Sequence, residues 1–142
     1  VLTSPAWSSA LVRHVESLKL STARVMGAVS DAQLAALYRR ADLLLVPSEH
    51  EGFCVPVVEA FSFDVPVVTR AFGAIPETAG GAALVLPCDA GPADMAEAMA
   101  RVLRDEGVRA EMRRRGRARV QELSAPATLR SSVAALARVL RR

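Results

Sequence analysis

The sequence predicts an α/β domain, a Rossmann-like doubly wound sheet of mostly parallel strands. Three observations predict it. Short runs such as Leu43 to Val46 and Val65 to Val68 are apolar throughout, as in strands covered on both faces. Segments between them place apolar residues at helical spacing. The connections are short, and strand and helix alternate along the chain.

Trp7, Leu11, Val12, Val15 and Leu18 recur every three to four residues, which predicts an amphipathic helix over 5–19. Ala23 to Met26 reads as a short strand ending at Gly27. Ser30-Asp31-Ala32-Gln33 is a capping box that opens a helix to about Arg40. Leu34, Leu37 and Ala41 form the expected inner stripe of that helix. Strand 42–46 runs into a Pro47-Ser48 turn. A helix starts at Val55 or Pro56 and reaches about Phe63, with proline in the first turn where its missing N–H costs nothing. Pro66 to Thr69 and Ala82 to Leu86 read as further strands, and Ile75 to Ala79 as at most a short helix. Helices follow over 92–104, with Met95, Ala98, Met99 and Val102 inward, and over 106–123. Ser124 caps a last helix carrying Leu129, Val133, Leu136 and Leu140 on one face. About four strands are expected, with no repeat, no linker and no internal boundary, so residues 1–142 are expected to form a single domain.

The chain has 142 residues, 51% of them hydrophobic and 23% charged, enough for one ordinary core. No apolar run approaches membrane-spanning length. Net charge is +3, and Lys19 is the one lysine among 18 basic residues. Arg113, Arg114, Arg115, Arg117 and Arg119 form the basic run, but acids flank it and no aromatic residues interleave with it. A solvated helix face is therefore expected, with no nucleic acid as partner. Cys54 and Cys88 give neither metal spacing nor a disulfide framework, and suit a reducing cytoplasm. The chain opens Val1-Leu2 without methionine or a basic leader. It reads as a strand cut short, so a truncated piece of a longer polypeptide is expected.

The most informative stretch is Pro47 to Ala60. Glu51 lies in a glycine-containing loop after a strand, and Glu59 about one turn into the next helix. Backbone N–H groups at a helix N-terminus attract phosphate, which makes Gly52, Phe53, Cys54 and Val55 candidates for a diphosphate. The side chains of Phe53 and Val55 remain available for core packing. A carboxylate one turn further in accepts from two neighbouring sugar hydroxyls, the geometry by which acidic residues hold ribose in dinucleotide folds. The plain alternatives are a solvated helix glutamate at Glu59 and a solvated loop acid at Glu51. His50 reads as a solvated loop histidine, Cys54 as a small packing residue and Glu77 as a helix-start acid.

The stretch resembles the motif of two glutamates separated by seven residues in the retaining glycosyltransferases of family 4, which have the GT-B fold. Gly27-Ala28-Val29-Ser30-Asp31 with Leu34 and Tyr38, the strand from Ala41-Asp42 to Pro47-Ser48, Val65-Pro66-Val67-Val68 and Gly73-Ala74-Ile75-Pro76-Glu77 extend the resemblance over roughly residues 20–122. One position departs from it: Cys54 stands where the family usually has the second glycine of Gly-Phe-Gly. The resemblance implies the carboxyl-side, nucleotide-sugar-binding domain of a GT-B enzyme. It gives Glu51 a contact with the donor sugar or its phosphate environment, the catalytic position in this chain, and places Val29 and Ser30 against the nucleobase. The donor would be a nucleoside diphosphate sugar, with no cofactor and no metal. The basic pair that neutralises the diphosphate and the amino-terminal domain with the acceptor site would lie outside this chain. The chain alone is therefore expected to be inactive and prone to self-association. A lipid-linked acceptor, and with it the inner face of a membrane, is an expected partner. Two other readings stay open: a nucleotide-sugar-binding module without turnover, and a basic domain docking on membrane or polyanion.

Overall fold

The computed structural model describes residues 2–3, 9–19 and 22–124. The chain falls into two compact units, residues 1–37 and 38–142. The predicted last helix after Ser124, and the start of the first helix with Trp7, lie outside the described residues.

The first unit contains β1 (Leu2–Thr3), α1 (Ser9–Ser17), β2 (Val25–Met26) and the start of α2 (Asp31–Arg40). β1 and β2 pair in parallel, Leu2 opposite Val25 and Thr3 opposite Met26. The capping box is formed. Gln33 N donates to Ser30 Oγ at 3.3 Å, and Ser30 N donates to Gln33 Oε1 at 2.9 Å, so two amides that the helix cannot use are satisfied reciprocally.

The second unit holds β3 (Leu44–Val46), α3 (Val55–Ser62), β4 (Val67–Arg70), α4 (Ile75–Ala79), β5 (Leu84–Leu86), α5 (Pro92–Arg104) and α6 (Glu106–Leu123). Its three strands form a parallel sheet in the order β3-β4-β5, with Leu44 opposite Val67 and Val68 opposite Leu84. Val67, Val68 and Thr69 of the central strand are all fully buried. Successive strand residues face opposite ways, so both faces of β4 are covered, as its unbroken apolar run predicts. Val68 packs with Ala98, Val102 and Met112, flanked by Leu45, Leu84 and Leu86. Val102 and Ala98 are two of the four inward residues expected of α5; Met95 and Met99 are half-buried. α6 lies close on α3 at Gly116, where an added Cβ would stand 3.0 Å from the Phe61 ring.

One stripe is corrected. Ala41 is exposed and Tyr38 is the buried residue of α2. The helix ends at Arg40, and the Ala41 amide turns back to the Tyr38 carbonyl at 3.1 Å. The inward position one turn after Leu34 therefore falls on Tyr38.

Candidate functional site

Because β3, β4 and β5 run parallel, the loops that leave them lie at one end of the sheet. The loop 47–54 leaves β3 and the loop 71–74 leaves β4. Glu51 is half-buried in the first of these loops, and Gly52 and Phe53 beside it are exposed. The amides of Gly52, Phe53 and Cys54 make no backbone hydrogen bond among the described residues. Phe53 and Val55 are 52% and 55% exposed, so core packing, the plain alternative for their side chains, does not hold. They project from the turn that starts α3.

Cys54 explains why that turn favours glycine. It precedes α3 with φ 57° and ψ 66°, left-handed backbone that crowds a Cβ. The side chain is tolerated because it is small. It is 3% exposed, in line with the packing role expected. Burial pushes its thiol up, and the Glu51 carboxylate adds to this as a charge and as a hydrogen-bond acceptor. A thiol held protonated is a poor nucleophile. Pro56 sits in the first turn of α3, and the Val57 amide donates to the Cys54 carbonyl at 3.1 Å.

Two ties from the end of β4 and the loop after it hold the Glu51 loop. Arg70, the last residue of β4, donates through Nη2 to the Pro47 carbonyl at 2.6 Å and to Glu49 at 3.3 Å. Its guanidinium lies 4.9 Å from the centroid of the Phe72 ring. Its Nε is buried without a hydrogen-bond partner among the described residues. At Gly73, φ is +52° and a Cβ would fall 2.1 Å from the Glu51 carbonyl oxygen. The Ala74 amide reaches the same oxygen at 3.4 Å. A side chain at Gly73 would occupy the space into which the Glu51 backbone fits.

Glu59 is half-buried in the second turn of α3. The Tyr38 hydroxyl donates to its Oε2 at 3.0 Å and lies 3.4 Å from the Pro56 carbonyl. The Tyr38 ring is stacked on Phe63 at 5.4 Å. Burial first, and then the Glu59 carboxylate, push the phenol well above its ordinary value, so it stays a donor.

The other candidates fall into place singly. Val29 is half-buried and Ser30 exposed in the first unit, where Ser30 caps α2. His50 is exposed, and Glu77 is exposed in the first turn of α4, as a helix-start acid should be. No group of three or more potential metal ligands occurs among the described residues, and no described helix is long and apolar enough to cross a membrane. The basic run of α6 is matched internally. Arg113, Arg114, Arg115, Arg117 and Arg119 pair with Glu106, Glu111, Glu111, Asp64 and Glu122. That arrangement weighs against a polyanion-docking face. Tyr38, Arg70 and Gly73 were given no part in the site by sequence reasoning. The positive φ at Gly73 and the burial of Tyr38 are what single them out.

Parallel strands alternating with helices, with the central strand covered on both faces, define an α/β domain of the doubly wound class. Comparison with known proteins narrows that class. The chain belongs to the glycosyl transferases group 1 family, whose model matches residues 5–119. It is 36% identical over 104 residues to O-antigen chain mannosyltransferase B of Escherichia coli, covering 71% of this chain and 26% of that protein. Over 65 residues it is 43% identical to the MMP alpha-(1->4)-mannosyltransferase of Mycolicibacterium hassiacum, covering 43% of this chain and 16% of that one. Sucrose-phosphate synthase from Thermosynechococcus elongatus superposes with a TM-score of 0.74 at 27% identity, over 98% of this chain and 37% of its own. The fold is that of the carboxyl-terminal domain of GT-B glycosyltransferases. The chain spans about a quarter or less of the length of the two mannosyltransferases.

Proposed function

We propose that the chain is the donor-binding domain of a retaining, family 4-like glycosyltransferase that moves a sugar from a nucleoside diphosphate to an acceptor hydroxyl. The observation that carries this reading is the pair of half-buried carboxylates flanking an exposed glycine turn at the strand ends. Glu59 accepts from the ribose hydroxyls. The free amides of the 52–54 turn, with the start of α3, receive the diphosphate. Glu51, held by Gly73 and Ala74 through its backbone, faces the donor sugar. Catalysis on such a site is positioning together with stabilisation of the departing diphosphate. No cofactor enters the scheme. The acceptor site belongs to the partner domain. Because two relatives are named mannosyltransferases, a mannose donor is the first to try.

The test is donor binding and turnover by the intact protein with uridine, guanosine and adenosine diphosphate sugars. Glu59→Gln should weaken binding of the active donor by roughly 1–3 kcal/mol, the range for a charge-assisted hydrogen bond. Unchanged donor binding by that variant removes Glu59 from the ribose, and with it this assignment.

A further inference from the structure

We propose that Tyr38 is the positioning residue of the donor site, its hydroxyl fixing the Glu59 carboxylate in the orientation that receives the nucleotide ribose. The proposal rests on the ribose reading of Glu59 and deepens it. A glutamate side chain has several rotatable bonds, and holding it still for a ligand costs conformational entropy. In this chain part of that cost is met before ligand arrives. Tyr38 donates to Oε2 at 3.0 Å, which leaves Oε1 and the remaining lone pairs to accept from sugar hydroxyls.

The phenol is itself immobile. Tyr38 is 7% exposed, and its ring is stacked on Phe63 with an interplanar angle of 11°. The guanidinium of Arg39 lies 5.6 Å from the centroid of the same Phe63 ring. The other acceptor near the hydroxyl, the Pro56 carbonyl, is at 3.4 Å, a poor length for an O–H donor. The short bond therefore goes to Glu59. The donor comes from the end of α2 and the acceptor from the second turn of α3, 21 residues on. The orientation of the carboxylate is thus set by tertiary packing rather than by its own helix.

The test uses the intact protein and titration calorimetry with uridine, guanosine and adenosine diphosphates. The 2′,3′-dideoxy form of whichever nucleotide binds serves as the second ligand. Tyr38→Phe keeps the ring, its stacking and its volume and removes only the donor. It should weaken the ribonucleotide about 5- to 20-fold, the size of one hydrogen bond. It should leave the dideoxynucleotide unchanged. In turnover assays KM for the donor should rise by a similar factor with little change in kcat. Equal losses for both nucleotides would mean a general loosening of the fold, and no loss for either would mean an idle contact; each overturns the proposal. Glu59→Gln runs in parallel. If it weakens the ribonucleotide while Tyr38→Phe does not, positioning by Tyr38 fails alone. If neither variant weakens it, the ribose reading fails and takes the positioning role with it.

Discussion

At the scale of the residue, two backbone positions decide whether the Glu51 turn is built. Gly73 has φ +52°, and any side chain there meets the Glu51 carbonyl at 2.1 Å. Gly81 also has positive φ, +79°, but opens on empty space. Gly81→Ala should therefore cost only the left-handed backbone penalty, about 1 kcal/mol. Gly73→Ala adds a backbone collision to it and should cost at least roughly 2 kcal/mol and lower activity out of proportion. Chemical denaturation of both variants, with donor binding, checks this; equal costs would show that the 71–74 loop does not hold Glu51. Cys54 is the converse case, a side chain where the backbone prefers none. Cys54→Gly relieves the left-handed strain but loses a buried thiol and gains unfolded-state freedom, so its stability should stay within about 1 kcal/mol of the parent. Cys54→Val puts a β-branched residue at φ 57° and should lose roughly 2–3 kcal/mol. Comparable stability of the valine variant would argue that the turn is not left-handed in solution.

At the scale of the element, α4 is too short to stand by itself, and its end is finished by a distant side chain. Arg119 of α6 donates through Nη2 to the Glu77 carbonyl at 2.5 Å and through Nε to the Thr78 carbonyl at 3.0 Å. Those carbonyls have no partner within the helix, and a cation at a helix C-terminus is favoured. Gly80, with φ +54°, leaves the room, for a Cβ there would sit 2.5 Å from Arg119 Nε. Arg119→Met should lose about 1–2 kcal/mol. Gly80→Ala should cost less in the Arg119→Met background than in the parent, because the methionine, no longer tied to the α4 carbonyls, can turn away from the added Cβ; a double-mutant cycle by urea denaturation reads the coupling. Strict additivity would mean that the two groups do not meet. Elements of this kind mark the boundary of what the sequence shows. α5 and α6 have the expected limits, Pro92–Arg104 and Glu106–Leu123, because proline and the Asp105 cap write their starts locally. Asp105 accepts from the Val108 amide at 3.0 Å. The cap on α4 joins residues about forty apart, and no local pattern announces it.

At the scale of the whole molecule, the parallel layout of the second unit was legible because burial on both faces of a strand leaves unbroken apolar runs. Val65, Val67 and Val68, all buried, are the clearest instance. The tie from Tyr38 to Glu59 was not legible, since it depends on side-chain packing between helices rather than on periodicity. The two glutamates stand out in the sequence through the set of motifs around them, while the residues that hold them in the structure do not. The contrast between the two free thiols, Cys54 buried and Cys88 exposed, has a practical consequence. In a Cys88→Ser background, a thiol-specific reagent can reach Cys54 only when the turn ahead of α3 opens. Its labelling rate then becomes a native clock for the breathing of the 52–54 turn. That rate should be far below the rate of Cys88 in the parent, and should fall further when a nucleoside diphosphate is added. Labelling of Cys54 as fast as Cys88, or unaffected by nucleotide, would mean that the loop already stands open.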